Sequence, residues 1–212
     1  MSLLDVLRAT VDGRPPEPDG TVEVLPQLGP AAGVVAFSAH FLVCADVDPS
    51  WVRDRLPPGD YSAPHGARFL VALADRIKAD VGALDVVLAR RHAPAPVVEL
   101  TEISARDHPR VRRALRYRDD VRVWEAARGA GHVLLGRGLA GRWEVAFEVR
   151  PDTRGRGLGR ALAESAAALV PEDEPVFAQV SPGHAASLKA VLAAGYRPLC
   201  AEVLMPPAST GD

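Results

Sequence analysis

The chain has 212 residues, a formal net charge of −2 and a pI near 6.3. This length allows one large domain or two small ones and can bury a substantial core without disulfides. The charge balance argues against a nucleic acid or an anionic membrane as partner, because both favour a broad basic excess. Amino-acid usage rich in alanine, arginine and proline is typical of bacterial coding at high GC content, which carries no information on function.

The two cysteines and the N-terminus bear on the cellular compartment. Cys44 and Cys200 each lie in an apolar run, so we expect buried free thiols rather than a disulfide or a nucleophile. Residues 1–5 carry an acid where a secretory signal needs basic residues, and the longest apolar run, 30–45, is too short to cross a bilayer. We therefore expect a cytoplasmic protein that has no membrane partner.

Residues 1–33 are predicted to form an N-terminal arm or linker. Apolar periodicity predicts a short helix over 3–11. The stretch 12–20 is rich in proline and glycine, which excludes regular structure there.

Residues 34–96 are predicted to form an α/β lobe in the order strand, helix, helix, strand. A run over 34–45, apolar on both faces, predicts one central strand. Asp48 before a proline is typical of a helix start, and an apolar stripe predicts a second helix over 67–79. A short strand over 83–89 closes the lobe, which contains no recognisable chemical motif.

Residues 97–205 begin a second series of elements. Periodicity and turn residues predict a strand over 97–103, a short helix over 110–115 capped by Asp107, and three strands over 121–127, 132–139 and 142–149. A helix that ends at Pro171 is predicted next. It is followed by a strand over 175–180, a helix over 181–194 and a last strand over 196–204. The sequence at 107–115 faintly resembles that at 48–56, so the lobe could be a diverged half-repeat.

The stretch 149–160 joins a predicted strand to a predicted helix and combines four arginines with three alternating glycines. Glycine allows positive φ and a close approach of the backbone to an anion, and a helix N-terminus offers unpaired N–H groups. This pattern favours a phosphate-binding turn. The alternative interpretation is a glycine-rich turn whose arginines are only solvated.

Two common phosphate motifs do not fit this loop. A P-loop needs Lys-Ser/Thr after its last glycine, whereas Gly159 is followed by Arg160. The dinucleotide fingerprint needs G-x-G-x-x-G, and here Arg160 takes the place of the last glycine.

The loop resembles a signature of the GNAT superfamily of N-acetyltransferases. The run Arg154–Gly159 resembles the Arg/Gln-x-x-Gly-x-Gly/Ala pattern of that family, and Val149-x-Pro151 resembles its approach to the loop. In that family the loop holds the pyrophosphate of acetyl-coenzyme A.

A second block downstream resembles the same family in part. Ser187, Gly195 and Tyr196 fit its pattern. His184 stands where asparagine is usual, and Val191 stands where an aromatic residue usually lies. Two blocks at the family's separation favour a cofactor site over a solvated turn.

The resemblance implies a mixed α/β (α+β) fold, with a mostly antiparallel central sheet flanked by helices. It covers 97–205, which leaves 34–96 as an additional N-terminal lobe and 206–212 as a disordered tail. The strands before and after the loop helix are expected to diverge and to receive the acyl-pantetheine arm between them.

The resemblance also implies acetyl-CoA as co-substrate. Backbone groups near the end of the strand would bond the pantetheine, and loop N–H groups with arginine side chains, Arg154 and Arg160 above all, would bind the phosphates. The predicted cofactor-binding residues are Phe147, Val149, Arg154, Gly155, Arg156, Gly157, Leu158, Gly159, Arg160, His184 and Ser187. His184 could instead cap the helix that follows it.

Catalytic residues are harder to assign, because a proton must leave the amine and the family's usual glutamates fall at Trp143 and Val145. Glu148 and Glu144 share one face of the strand and are the candidate bases. For either residue the alternative is a solvent-facing strand carboxylate, above all for Glu144. No acid is inherited at Val191, and we expect Tyr196 to pack in the core.

These features predict an N-acetyltransferase that acts by direct transfer to a primary amine of a small molecule or peptide. A binding or regulatory module without turnover is a second hypothesis, motivated by the missing aromatic and the displaced glutamates. A nucleotide-binding, Rossmann-like unit is a third. The histidines show no metal-ligand spacing, so no metal is expected, and a homodimer is left open.

Overall fold

The computed structural model describes residues 1–104, 107–126 and 128–208. The helices are α1 (Leu3–Val11), α2 (Pro49–Arg53), α3 (Ala67–Ile77), α4 (Pro109–Ala114), α5 (Leu158–Ala166) and α6 (Ala185–Ala193). The strands are β1 (Val22–Leu25), β2 (Ala32–Phe37), β3 (His40–Cys44), β4 (Leu84–Arg90), β5 (Leu100–Ile103), β6 (Asp119–Ala126), β7 (Gly131–Arg137), β8 (Trp143–Val149), β9 (Val176–Val180) and β10 (Arg197–Met205).

The strands of the described residues form one ten-stranded sheet in the order β1-β3-β2-β10-β4-β9-β8-β7-β6-β5. Within this part of the chain only β1 with β3 and β8 with β9 pair in parallel, and the other neighbours are antiparallel. The predicted class, a mixed and mostly antiparallel sheet flanked by helices, is confirmed. A Rossmann-like unit is wrong, because that fold needs a run of parallel strands.

Strand pairing crosses the boundary predicted at residue 96. The lobe strand β4 lies between β9 and β10 and pairs with both of them in antiparallel fashion. Strand β2 pairs with the other side of β10. Strands β2 and β4 therefore join the first part of the chain directly to the sheet of the second part.

The single strand predicted over 34–45 is wrong. Strands β2 and β3 form a hairpin in which Phe37 faces His40, and Ala39 turns the chain with a φ of 54°. Alanine rarely adopts positive φ and gave no turn signal. Strand β1, inside the predicted arm, was also missed; it has four residues and pairs in parallel with β3.

Most predicted helices are present, and their ends are set by local contacts. Helix α1 has a capping box in which Ser2 and Asp5 bond each other's backbone N–H groups. The predicted cap of α4 is wrong: His108, not Asp107, accepts the bond from the N–H of Arg110. Of the predicted tail, residues 206–208 bond with residues 78–80, and 209–212 lie outside the described residues, as does the predicted strand end at Ala127.

The two faces of β8 point into different surroundings. Val145 and Phe147 pack into the core beneath α5 and α6, together with Leu162 and Val191. Glu144 points to the opposite face, where α1 and α4 lie over other parts of the sheet. Among the described residues, no helix is both long and apolar enough to cross a membrane.

Candidate functional site

Strands β8 and β9 separate in the middle of the sheet. They pair at three positions, the last of which joins Val145 to Ala178. Residues 146–149 of β8 and 179–180 of β9 continue beyond that point without facing each other as a ladder. The divergence expected from the sequence is therefore confirmed, and it leaves backbone N–H and C=O groups directed into a wedge.

The glycine-rich loop lies at the end of β8, where this wedge opens. Gly155 and Gly157 adopt φ values of 78° and 81°, and a Cβ at either position would meet nothing within 4 Å. Gly157 is the N-cap of α5 and has no side-chain cap. The first helical bond joins the N–H of Ala161 to the carbonyl of Gly157, so the three preceding N–H groups of the helix point outward.

The arginines of the loop differ in what they contact. Arg154 Nε donates to the carbonyl of Val149 at 3.2 Å, and Arg150 pairs with Asp152. Arg160 is exposed, and its Nε lies 3.7 Å from Oε2 of Glu164. Arg156 has no ion pair or hydrogen bond within the part of the chain described here. Arg156 is therefore free to turn toward an anion above the loop, whereas Arg160 would have to leave Glu164 to do so.

The second sequence block packs against the loop helix. A Cβ on Gly159 would lie 3.6 Å from Phe147 and 3.8 Å from Ala190 of α6, so β8, α5 and α6 meet at this glycine. His184 is the N-cap residue of α6, but its side chain makes no capping bond, so the capping interpretation is wrong. Ser187 lies in the first turn of α6 and is partly exposed.

Glu148 lies in a cluster of charged and aromatic side chains on the sheet. Its carboxylate is ion-paired with Nε of Arg110, and in the strand register it faces His132. The ring centroids of His132 and His108 lie 5.4 Å apart with the ring planes tilted by 45°, and Nε2 of His132 is 3.8 Å from Oε2 of Glu125. Arg110 holds Oε2 of Glu148, so this oxygen is a weaker proton acceptor than a free carboxylate oxygen.

Glu144 is fully buried, so the alternative of a solvent-facing carboxylate is wrong. Its oxygens accept bonds from Nε of Arg142 and Nε of Arg118, each at 2.8 Å. Burial raises the pKa of Glu144, but the charges of these two arginines lower that pKa by more than burial raises it. The net pKa is therefore below the ordinary value. A carboxylate held in this way is a poor proton acceptor.

A group of polar residues that sequence reasoning missed lies on the same face of the sheet as Glu144. Glu202 of β10 is fully buried, and its Oε1 accepts from Nη2 of Arg142 at 2.5 Å. Gln179 accepts a bond from Arg118, and Asp85 of β4 is half-buried beside them. The available signal was a single acid inside each of two apolar strand patterns, at Asp85 and Glu202.

Val191, where no general acid was expected, and Tyr196, which was expected to pack inside, both lie in the core. Val191 is fully buried on α6. Tyr196 is buried, and its hydroxyl donates to the carbonyl of Ala163 at 2.9 Å. Its burial confirms the predicted core role and also raises the pKa of its hydroxyl. Among the residues described, no group of three or more histidine, cysteine or carboxylate side chains could hold a metal.

No family model and no curated protein matches the chain. Similar solved structures include a GCN5-related N-acetyltransferase from Kribbella flavida, with 16% identity and a TM-score of 0.41 over 68% of this chain and 64% of that one. A putative GNAT-family acetyltransferase from Novosphingobium aromaticivorans DSM 12444 has 16% identity and a TM-score of 0.42, covering 62% of this chain and 69% of its own.

A tandem GNAT protein from the clavulanic acid biosynthesis pathway covers 86% of this chain and 66% of its own, with 18% identity and a TM-score of 0.42. The chain spans slightly under two thirds of the Kribbella protein.

Proposed function

We propose that this protein is an acetyl-CoA-dependent N-acyltransferase of the GNAT type, which transfers an acyl group directly to a primary amine of a small molecule or peptide. The observation that carries the proposal is the end of pairing between β8 and β9 after Val145 and Ala178. The wedge that begins there leads to a loop whose N–H groups point outward. An extended pantetheine arm can add to an unpaired strand edge in this way.

The proposed contacts follow from where each group lies. Backbone groups of Phe147 and Val149 face the wedge and would bond the pantetheine amides. The phosphates would lie over residues 154–160, where the helix dipole and unpaired N–H groups favour an anion and where Arg156 and Arg160 add charge. His184 and Ser187, at the start of α6, would line the far side of the proposed site.

A binding module without turnover remains the alternative, and specific observations favour it. Val191 and Tyr196 offer no accessible hydroxyl or acid. Both predicted bases, Glu148 and Glu144, are ion-paired with arginines. The module would bind acetyl-CoA but release no thiol with any amine, which is how a colorimetric thiol assay separates it from an enzyme.

Acetyl-CoA binding tests the loop directly. A Gly157→Ala variant puts a side chain on a backbone with a φ of 81°, at the mouth of the proposed phosphate site. We expect it to weaken binding about tenfold or more, because a left-handed alanine costs about 1–2 kcal/mol and moves the donors. Gly13→Ala is the matched control, since Gly13 has a φ of 80° and equally open surroundings far from the loop.

Isothermal titration calorimetry of both variants and the wild type gives the result. Binding by the wild type that is weakened in Gly157→Ala and kept in Gly13→Ala supports the proposal. If the wild type binds no acetyl-CoA, or if both variants bind as the wild type does, the loop is not the site.

A further inference from the structure

The strand register brings polar side chains from four adjacent strands to one face of the sheet. Val87 of β4 faces Gln179 of β9, so Asp85, two residues earlier, points to the same side as Gln179. Glu202 of β10 faces Asp85, and Glu144 of β8 faces Phe177, which shares the side of Gln179. This face lies opposite α5 and α6.

This group lies next to the wedge. Gln179 directly follows Ala178, the last residue of β9 that pairs with β8. It is therefore the first residue of β9 on the open side, and its oxygen accepts a bond from Nη2 of Arg118. In the proposed function the acyl group lies at this point of the wedge, so the polar face is where an acceptor would approach it.

Three buried polar atoms of the group lack a hydrogen-bond partner among the described residues. They are Oε2 of Glu202, Nε2 of Gln179 and Nη1 of Arg142. The Gln179 amide is near enough to lower the pKa of Glu202, but it does not reach hydrogen-bonding geometry. Native proteins rarely leave buried polar atoms unpaired, and a shift of the Gln179 amide would let its Nε2 donate to Oε2 of Glu202.

Asp85 differs from the other carboxylates of the group because no arginine holds it. It is half-buried, and it makes no hydrogen bond or ion pair within the described part of the chain. Burial raises its pKa to about 6, with a further rise from Glu202 and Glu144 that is opposed by Arg113 and His184. Such a carboxylate is ionised at neutral pH and is basic enough to accept a proton there.

We propose that Asp85, from the N-terminal part of the chain, is the group that binds the acceptor's ammonium and takes its proton. This inference rests on the proposed function and adds a catalytic residue to it. It also makes the acceptor a cationic amine, since the Asp85 carboxylate is the group that would meet it.

The step balances as follows. The Asp85 carboxylate takes one proton from the ammonium, and the freed lone pair of nitrogen forms the C–N bond at the thioester carbonyl carbon. The C–S bond then breaks and its electron pair leaves with the sulfur of coenzyme A as a thiolate. The second proton that nitrogen loses ends on that thiolate through water, which gives the amide, the free thiol and a protonated Asp85.

The test compares Asp85→Asn with Asp75→Asn, since Asp75 is exposed on α3 and remote from the sheet face. Thiol release from acetyl-CoA is measured with n-butylamine, putrescine and glycinamide across pH 5 to 8. We expect Asp85→Asn to lower kcat/KM about 100-fold or more on the best amine, in the range for a lost general base. Acetyl-CoA affinity should stay as in the wild type, and the variant should still unfold in one cooperative transition.

The pH profile separates a chemical role from a structural one. In the wild type and Asp75→Asn, kcat/KM should rise tenfold per pH unit up to about pH 6 and then level. Asp85→Asn should lose this limb, and Asp85→Glu should restore it in part. Full activity of Asp85→Asn, or loss of the limb only in Glu148→Gln, would overturn the inference and leave the proposed function intact. No thiol release by the wild type with any amine would overturn both.

Discussion

The buried carboxylate of Glu144 makes position 138 sensitive to a single methyl group. A Cβ added to Gly138 would overlap the Glu144 carboxyl, which cannot swing away because Arg142 and Arg118 hold both its oxygens. Gly138 has a φ of −100°, so the left-handed backbone that disfavours alanine is not involved. Overpacking of a core costs about 1–3 kcal/mol, and displacing a buried charge from its partners costs about 3–5 kcal/mol.

We therefore expect Gly138→Ala to lower the free energy of unfolding by about 3 kcal/mol, which corresponds to a fall of roughly 6–12 °C in Tm for a chain of this size. Urea denaturation followed by circular dichroism measures the change. Gly183→Ala is the control, because a Cβ there meets nothing within 4 Å. Equal stability of the two variants would refute the account of a fixed Glu144.

Two further predictions concern the buried hydroxyl of Tyr196 and the carboxyl of Asp85, whose pKa is raised by burial. Tyr196→Phe should lower the free energy of unfolding by about 1 kcal/mol, because the carbonyl of Ala163 loses its hydrogen-bond donor. The kcat of this variant should stay unchanged. A large fall in kcat would instead make Tyr196 the missing acid. Asp85 has a folded-state pKa above its unfolded value, so its charge opposes folding above about pH 6, and that penalty disappears as pH falls toward 4. Asp85→Asn should therefore have a higher Tm than the wild type at pH 7 and an equal Tm near pH 4. An unchanged or lower Tm at pH 7 would contradict the burial of the Asp85 charge.

What the sequence predicted well is local. The loop depends on glycines at 155 and 157 and on the helix start beside them, and these signals lie within a few residues of one another. The hairpin at Ala39 was missed because its turn uses an alanine at positive φ. The pairing of Asp85 with Glu202 joins residues more than a hundred positions apart, and periodicity assigns each a face of its own strand without saying which strand lies next to it.

The position of β4 explains why the first half of the chain matters for the site. Strand β9 has β8 on one side for only three residues, and its other side is paired along its whole length by β4. That pairing fixes β9 while β8 turns away, so the wedge depends on a strand that precedes both motif blocks. The same strand carries Asp85 to the face beside Gln179. One element thus holds the wedge open and supplies its unpaired carboxylate, so separating residues 1–96 from the remainder should remove both.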